Sequence, residues 1–204
     1  MGAVQEHSPN AKARRRQVLD AASRCFRRHG FHATSMAEIA AEAGMSVGHI
    51  YRYFGGKDEI IQAIVCQDTE EALANMAELE AAGEDVYRAV IEGIDEADAP
   101  ALDRDRAALI LEVRAEAARN PKIAAVLQAA DRELRSNFAR ILSKAKPEGW
   151  TEADLAARIE LMAVLFDGIP VRIVSHPELD RAALFGMIRG VFANLLETPH
   201  AEAG

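Results

Sequence analysis

Residues 34–57 read TSMAEIAAEAGMSVGHIYRYFGGK, and the rest of the chain is understood from them. Ser35-Met36-Ala37-Glu38 has the form of a capping box. In it the Ser35 hydroxyl accepts from the Glu38 amide while the Glu38 carboxylate reaches back to the amide of Ser35. Met36, Ile39, Ala40 and Ala43 recur at helical spacing and make one apolar face. Gly44 follows, where a left-handed residue ends a helix at low steric cost. Ser46 can cap a second helix after only Met45. There Val47, Ile50, Tyr51 and Phe54 fall at i, i+3, i+4 and i+7, which predicts that they face inward. Gly48, His49, Arg52 and Tyr53 take the opposite face, and Gly55-Gly56 ends the run.

Two short helices joined by a tight glycine turn have helix-turn-helix geometry, whose second helix enters the DNA major groove. The outward set suits that task. Gly48 allows close approach of the backbone to phosphate, and Arg52, His49 and the tyrosine hydroxyls can donate to phosphates or base edges. Spacing alone would equally fit an ordinary helix pair on the surface of a bundle.

The residue types carry the reading further. Thr34-Ser35, Ile39-Ala40 and Gly44-x-Ser46-x-Gly48-x-x-Tyr51-x-x-Phe54-x-x-Lys57 closely resemble the DNA-binding segment of the tetracycline-repressor (TetR) family of bacterial regulators. The resemblance implies an all-α chain in two parts. Residues 1–56 would form a three-helix, helix-turn-helix DNA-binding domain. Residues 57–204 would form a helical ligand-binding and dimerisation domain, beginning with a connecting helix over 57–82. The matching positions imply that Ser35, Ser46, Gly48, Tyr51, Tyr53 and Lys57 touch phosphates of double-stranded DNA. Val47, His49 and Arg52 are then placed to read bases of a palindromic operator.

The net charge of −8 looks unsuited to a nucleic-acid binder until it is divided. Residues 1–57 hold nine Lys/Arg against four Asp/Glu, a net of +5; residues 58–204 hold 15 against 28, a net of −13. A basic head on an acidic body results, and only the head suits phosphate. Arg14-Arg15-Arg16, in the first helix, is read as touching the phosphate backbone, Arg14 above all.

Other classes find little support. No apolar run of about 18 residues is present to span a bilayer, and the first residues lack the apolar segment of a secretory signal, so a cytoplasmic protein is expected. Cys25 and Cys66 read as reduced core or near-core thiols. An all-helical enzyme of the di-iron type wants Glu-x-x-His pairs on facing helices. The one such pair, Glu197 to His200, is interrupted by Pro199. His29 and His32 straddle Gly30 and read as turn residues. No enzyme activity, metal or cofactor is expected; an all-helical enzyme or small-molecule carrier is the alternative.

In chain order, a helix is predicted from about residue 9 to 29, with Val18, Ala21, Ala22, Cys25 and Phe26 as its stripe and a stop at Gly30-Phe31. Helices follow over 57–82, 84–97, 103–119, 121–145 and 151–175, with Pro170 expected to kink the last. The final helix, 180–197, carries apolar residues on more than one face, which predicts a homodimer through the last two helices. The resemblance further implies a small-molecule effector in the body, of unknown identity. Tyr87, Phe138, Met162 and Phe166 are the apolar candidates to line its cavity, and Glu112, Arg114 and Glu116 could add a charged contact. Trp150 reads as a surface anchor.

Overall fold

A computed structural model of the chain describes residues 9–81, 83–94 and 103–197. Among these, every regular element is helical: α1 (Pro9–His29), α2 (Met36–Glu42), α3 (Val47–Ile50), α4 (Lys57–Ala81), α5 (Val86–Glu92), α6 (Arg104–Ala117), α7 (Pro121–Ser143), α8 (Glu152–Ser175) and α9 (Arg181–Glu197). A 3-10 turn, Gly83–Asp85, precedes α5.

Packing groups the chain into two compact units that do not follow chain order. One comprises the described residues up to Gln67 together with Leu109–Gln128; the other comprises Asp68–Ala108 and the described residues from Ala129 onward. Helices α4, α6 and α7 each have residues in both units. This grouping differs from a simple division of the chain at residue 56.

In the first unit, the expected stripe of α1 is buried in full, as are Ile39, Ala40, Ile50, Phe54, Ile60 and Ile61. Gly30 ends α1 in the left-handed region at φ +78°, with its amide donating to the Phe26 carbonyl at 2.8 Å. The α2 capping box is complete: Glu38 N donates to Ser35 Oγ at 3.1 Å and Ser35 N to Glu38 Oε2 at 2.7 Å. Gly44 stops α2 at φ +62°. Burial raises the pKa of the Cys25 thiol. Cys66, by contrast, is exposed on α4 rather than in or near the core.

In the second unit, one apolar cluster draws on α5 through Val86 and Val90, on α8 through Leu155, Ile159, Met162, Ile169 and Ile173, and on α9 through Phe185, Ile188, Phe192 and Leu196. Thr151 caps α8 in a capping box with Asp154. Helix α8 continues through the buried Pro170 to Ser175. Trp150 is buried in this cluster instead of anchoring the surface. Tyr87 stacks on its ring at 6.1 Å, and the Arg158 guanidinium lies 3.9 Å over it. The helix expected over 84–97 is shorter, since α5 ends at Glu92 with Gly93 as its C-cap; the remainder of that stretch, 95–97, lies outside the described residues.

Candidate nucleic-acid interface

The basic head places its charges in two distinct ways. Some cations are turned inward as braces. Arg15 donates to the Tyr53 carbonyl at 3.0 Å and covers the Phe54 ring at 4.4 Å, which fastens the end of the recognition segment to α1. Gln17 Nε2 donates to the Ala43 carbonyl at the close of α2, at 2.7 Å. Arg24 and Arg28 both reach Glu42, at 2.6 and 3.1 Å. The hydrogen bond from Arg24 is the main reason the Glu42 carboxyl lies below its ordinary range. The sequence shows Arg15 only as one of three consecutive arginines. Which of them turns inward depends on where α1 meets α3, and no local pattern states that.

The other groups face out. Arg14 is exposed, its guanidinium donating to Gln17 Oε1 at 2.9 Å. Ser35, Ser46, Gly48, Tyr51 and Arg52 are exposed, and His49, Tyr53 and Lys57 are half-buried. Ile50 and Phe54 are buried as expected, but Val47 and Tyr51 are not, being 38% and 53% exposed. The inward face is therefore narrower than the i, i+3, i+4, i+7 spacing predicts. Helix α3 has only four residues, Val47–Ile50, before it passes into a turn. So short an element can bury one residue per turn, and Val47 and Tyr51 are left to the outside.

Local hydrogen bonds set how these groups can act. Ser46 Oγ accepts from the His49 amide at 3.2 Å, as Ser35 Oγ does from Glu38. A hydroxyl that accepts in this way keeps its proton for another acceptor, such as a phosphate oxygen. His49 Nε2 lies 3.3 Å from the Tyr53 hydroxyl, their rings 5.4 Å apart, so each fixes the other. Lys57 Nζ donates to the carbonyls of Phe31 and His32 at 2.5 and 3.2 Å and lies 4.7 Å over the Phe31 ring. Its ammonium carries three protons, so one remains.

Gly48 is the informative glycine. It does not have the left-handed backbone that would require glycine. A Cβ built there would meet nothing within 4 Å. Neither the backbone nor the packing of the chain itself demands its absence, yet glycine is among the poorest helix formers.

The four apolar body candidates lie in the second unit, whereas Glu112, Arg114 and Glu116, expected as charged contacts there, lie in the first. Met162 belongs to its apolar cluster, and Tyr87 and Phe138 pack against that cluster. The Tyr87 hydroxyl donates to the Leu142 carbonyl at 3.3 Å. Phe166 meets the buried Phe192 edge to face at 5.3 Å. Glu116 is buried, and both Glu112 and Glu116 are engaged with the turn after α1, in the first unit. Among the described residues, no group of three or more His, Cys, Asp and Glu could hold a metal ion, and no helix is long and apolar enough to cross a membrane.

These features define an all-helical helix-turn-helix protein, and comparison with known proteins places it. Residues 18–64 match bacterial regulatory proteins of the tetR family, and residues 84–197 match the C-terminal part of BetI-type transcriptional repressors. The transcriptional regulator UidR of Escherichia coli K12 is 31% identical over 197 residues, covering 91% of this chain and 94% of UidR. Salmonella enterica GusR has a similar fold, with a TM-score of 0.68 at 21% identity, over 95% of this chain and 100% of that one. So does Bacillus subtilis FadR, solved with stearoyl-CoA, with a TM-score of 0.70 at 20% identity over 91% and 99%. The chain belongs to the tetR family of bacterial regulatory proteins. It is a DNA-binding transcriptional regulator whose C-terminal part is of a repressor type, and not an enzyme.

Proposed function

We propose that a homodimer of this chain occupies a palindromic operator through α3 and the residues around it, and leaves it when a small molecule enters the body. The observation that carries the reading is Gly48, a glycine that the protein's own structure does not need, at the centre of an exposed set of donors. A phosphate backbone pressed against α3 supplies the reason for it. Ser35, Ser46, Tyr51, Tyr53 and Lys57 then donate to phosphates, Arg14 adds a contact from α1, and Val47, His49 and Arg52 meet base edges. Footprinting on the DNA upstream of the chain's own gene tests this. Protection of two inverted half-sites, with centres about one helical turn (~34–36 Å) or a multiple apart, is the expected result; absence of any sequence-dependent protection overturns it.

The dimer is proposed through α8 and α9. Leu161, Val164 and Val171 lie exposed on α8 at helical spacing, away from its buried stripe, and Met187 and Val191 lie likewise on α9. Val164 is 58% and Met187 71% exposed, too much apolar surface for helices packed on one side only. A second copy covers both stripes at once. Leu195, by contrast, packs partly against its own cluster.

The effector is proposed to lie against the apolar cluster of the second unit, near Tyr87, Phe138, Met162 and Phe166. A small molecule that binds one body conformation better than another shifts the population of heads. Helix α4, which has residues in both units, is the carrier of that shift. Residues 1–56 act as the operator-binding segment and 57–204 as the effector and pairing segment. The setting is the cytoplasm, where the operator is.

A further inference from the structure

Glu116 is an unusual residue for a regulator's body helix: a carboxylate buried to 2% exposure, on α6. Its Oε1 accepts from Asn120 Nδ2 at 3.1 Å. Its Oε2 accepts no hydrogen bond, yet lies 2.9 Å from His32 Nε2 and 3.9 Å from the Arg119 guanidinium. Burying a polar oxygen without a hydrogen bond is costly, so the side chains beside it bear on where Glu116 can sit. One turn earlier on α6, Glu112 Oε1 accepts from the Phe31 amide at 2.5 Å. The same oxygen lies 3.4 Å from where a Cβ at Gly30 would be.

Both carboxylates therefore meet one short turn, Gly30-Phe31-His32, which joins α1 to the helix-turn-helix. Lys57, the first residue of α4, holds the same turn by its carbonyls. The amide side of the turn belongs to α6 and the carbonyl side to α4. Phe31 is buried between them in the first unit, its ring 5.3 Å from Phe26. Helix α6 itself starts in the second unit, where Arg106 pairs with Asp68 of α4 at 2.7 Å.

Resting on the reading of α3 as the operator-contacting segment, we propose that Glu112 and Glu116 are positioning residues for DNA binding. They set the pose of the helix-turn-helix by gripping the turn before it, so that α6 as well as α4 holds the head. A turn that loses this grip must be ordered when the operator binds, and affinity falls.

The test uses the full chain and the operator found by footprinting, with Glu116→Gln, His32→Ala and the double variant, all measured where the proteins are folded. Each single change is expected to weaken operator binding by about 3- to 30-fold, and the double variant no more than the stronger single one, because both remove the same contact. Amide exchange gives a readout that a merely structural role would not move. Operator added to the wild type should slow exchange in residues 109–117, and His32→Ala should abolish that slowing while still binding at higher protein concentration. His32 is a surface side chain, so this variant keeps the test open if Glu116→Gln fails to fold. Additive losses in the cycle, unchanged affinity, or slowing of α6 exchange undiminished in His32→Ala would each overturn the proposal. A wild type that binds no operator removes instead the reading on which the proposal rests.

Discussion

Two surfaces of this molecule expose large apolar side chains, and they differ in their company. Around α3, Val47 and Tyr51 stand among Gly48, His49, Arg52 and two serine hydroxyls that accept from backbone amides and keep a proton to give. On α8 and α9, Leu161, Val164, Val171, Met187 and Val191 form longer stripes without such donors among them. Apolar atoms interleaved with donors fit thymine methyls and phosphates, whereas an unrelieved stripe fits a copy of itself. The contrast teaches that exposure alone does not identify a partner; the polar groups beside it do.

The strongest way to break the contrast is on the body. Changing Val164 and Met187 together to Glu should convert a dimer to a folded monomer in sedimentation. Because two linked heads gain about 10²–10⁴ over one, operator affinity should fall by a similar factor while the head itself is unaltered. A double variant that stays dimeric puts the pairing surface elsewhere.

On the head, Gly48→Ala should act in opposite directions on two measurements. No atom stands in the way of the new methyl, so folding stability should rise by about 0.5–1 kcal/mol in denaturant titration. Operator binding should weaken roughly tenfold, about 1.4 kcal/mol, as the methyl separates α3 from phosphate. Equal or tighter binding would show that nothing approaches α3 closely.

Lys57→Ala sharpens the division between brace and contact, since Lys57 does both. Losing one phosphate contact lowers the slope of log affinity against log salt by about 0.9. Losing its bonds to the Phe31 and His32 carbonyls costs about 1 kcal/mol of stability as well. A changed melting temperature with an unchanged salt slope would make Lys57 a brace alone.

The smallest effect concerns a brace in the body. Glu80 near the end of α4 accepts from Arg140 of α7 at 2.7 and 3.0 Å and from Lys144 at 2.5 Å. Arg140 first, then Lys144, bring its pKa from 4.5 down to about 2. A lowered carboxyl pKa stabilises the fold above the ordinary range, and the contribution is lost as pH falls from about 4.5 toward 2. The bridge lies at the surface, so salt weakens it. Glu80→Gln should flatten that segment of the acid-unfolding curve slightly and leave operator binding at neutral pH as it was.

Much of the head was legible in the sequence because its signals are local. Ser35 with Glu38, Gly44 and Ser46 with the His49 amide each complete a structure within four residues, so residue type and spacing were enough. The burial of Ile50 and Phe54 followed as well. The inward placement of Val47 and Tyr51 did not, because helical periodicity presumes a helix long enough to present a face, and α3 is one turn. Likewise Trp150, beside a loop, read as surface, yet Tyr87 from far earlier in the chain stacks on it and Arg158 of α8 lies over it. The excess of apolar residues on the last two helices was visible, though not which of them remain outside.

By itself, then, the order of residues determined the helices, their caps, the basic head on an acidic body, and the helix-turn-helix with its outward donors. All of these depend on neighbours within a turn or two, or on composition. Only the tertiary structure decided that Arg15 braces Tyr53 and Phe54, that Val47 and Tyr51 stand outside, and that Glu112 and Glu116 meet the turn at Phe31 and His32. The first and last are contacts between residues about 40 to 80 positions apart, and at that range a side chain's role is set by what the fold brings beside it.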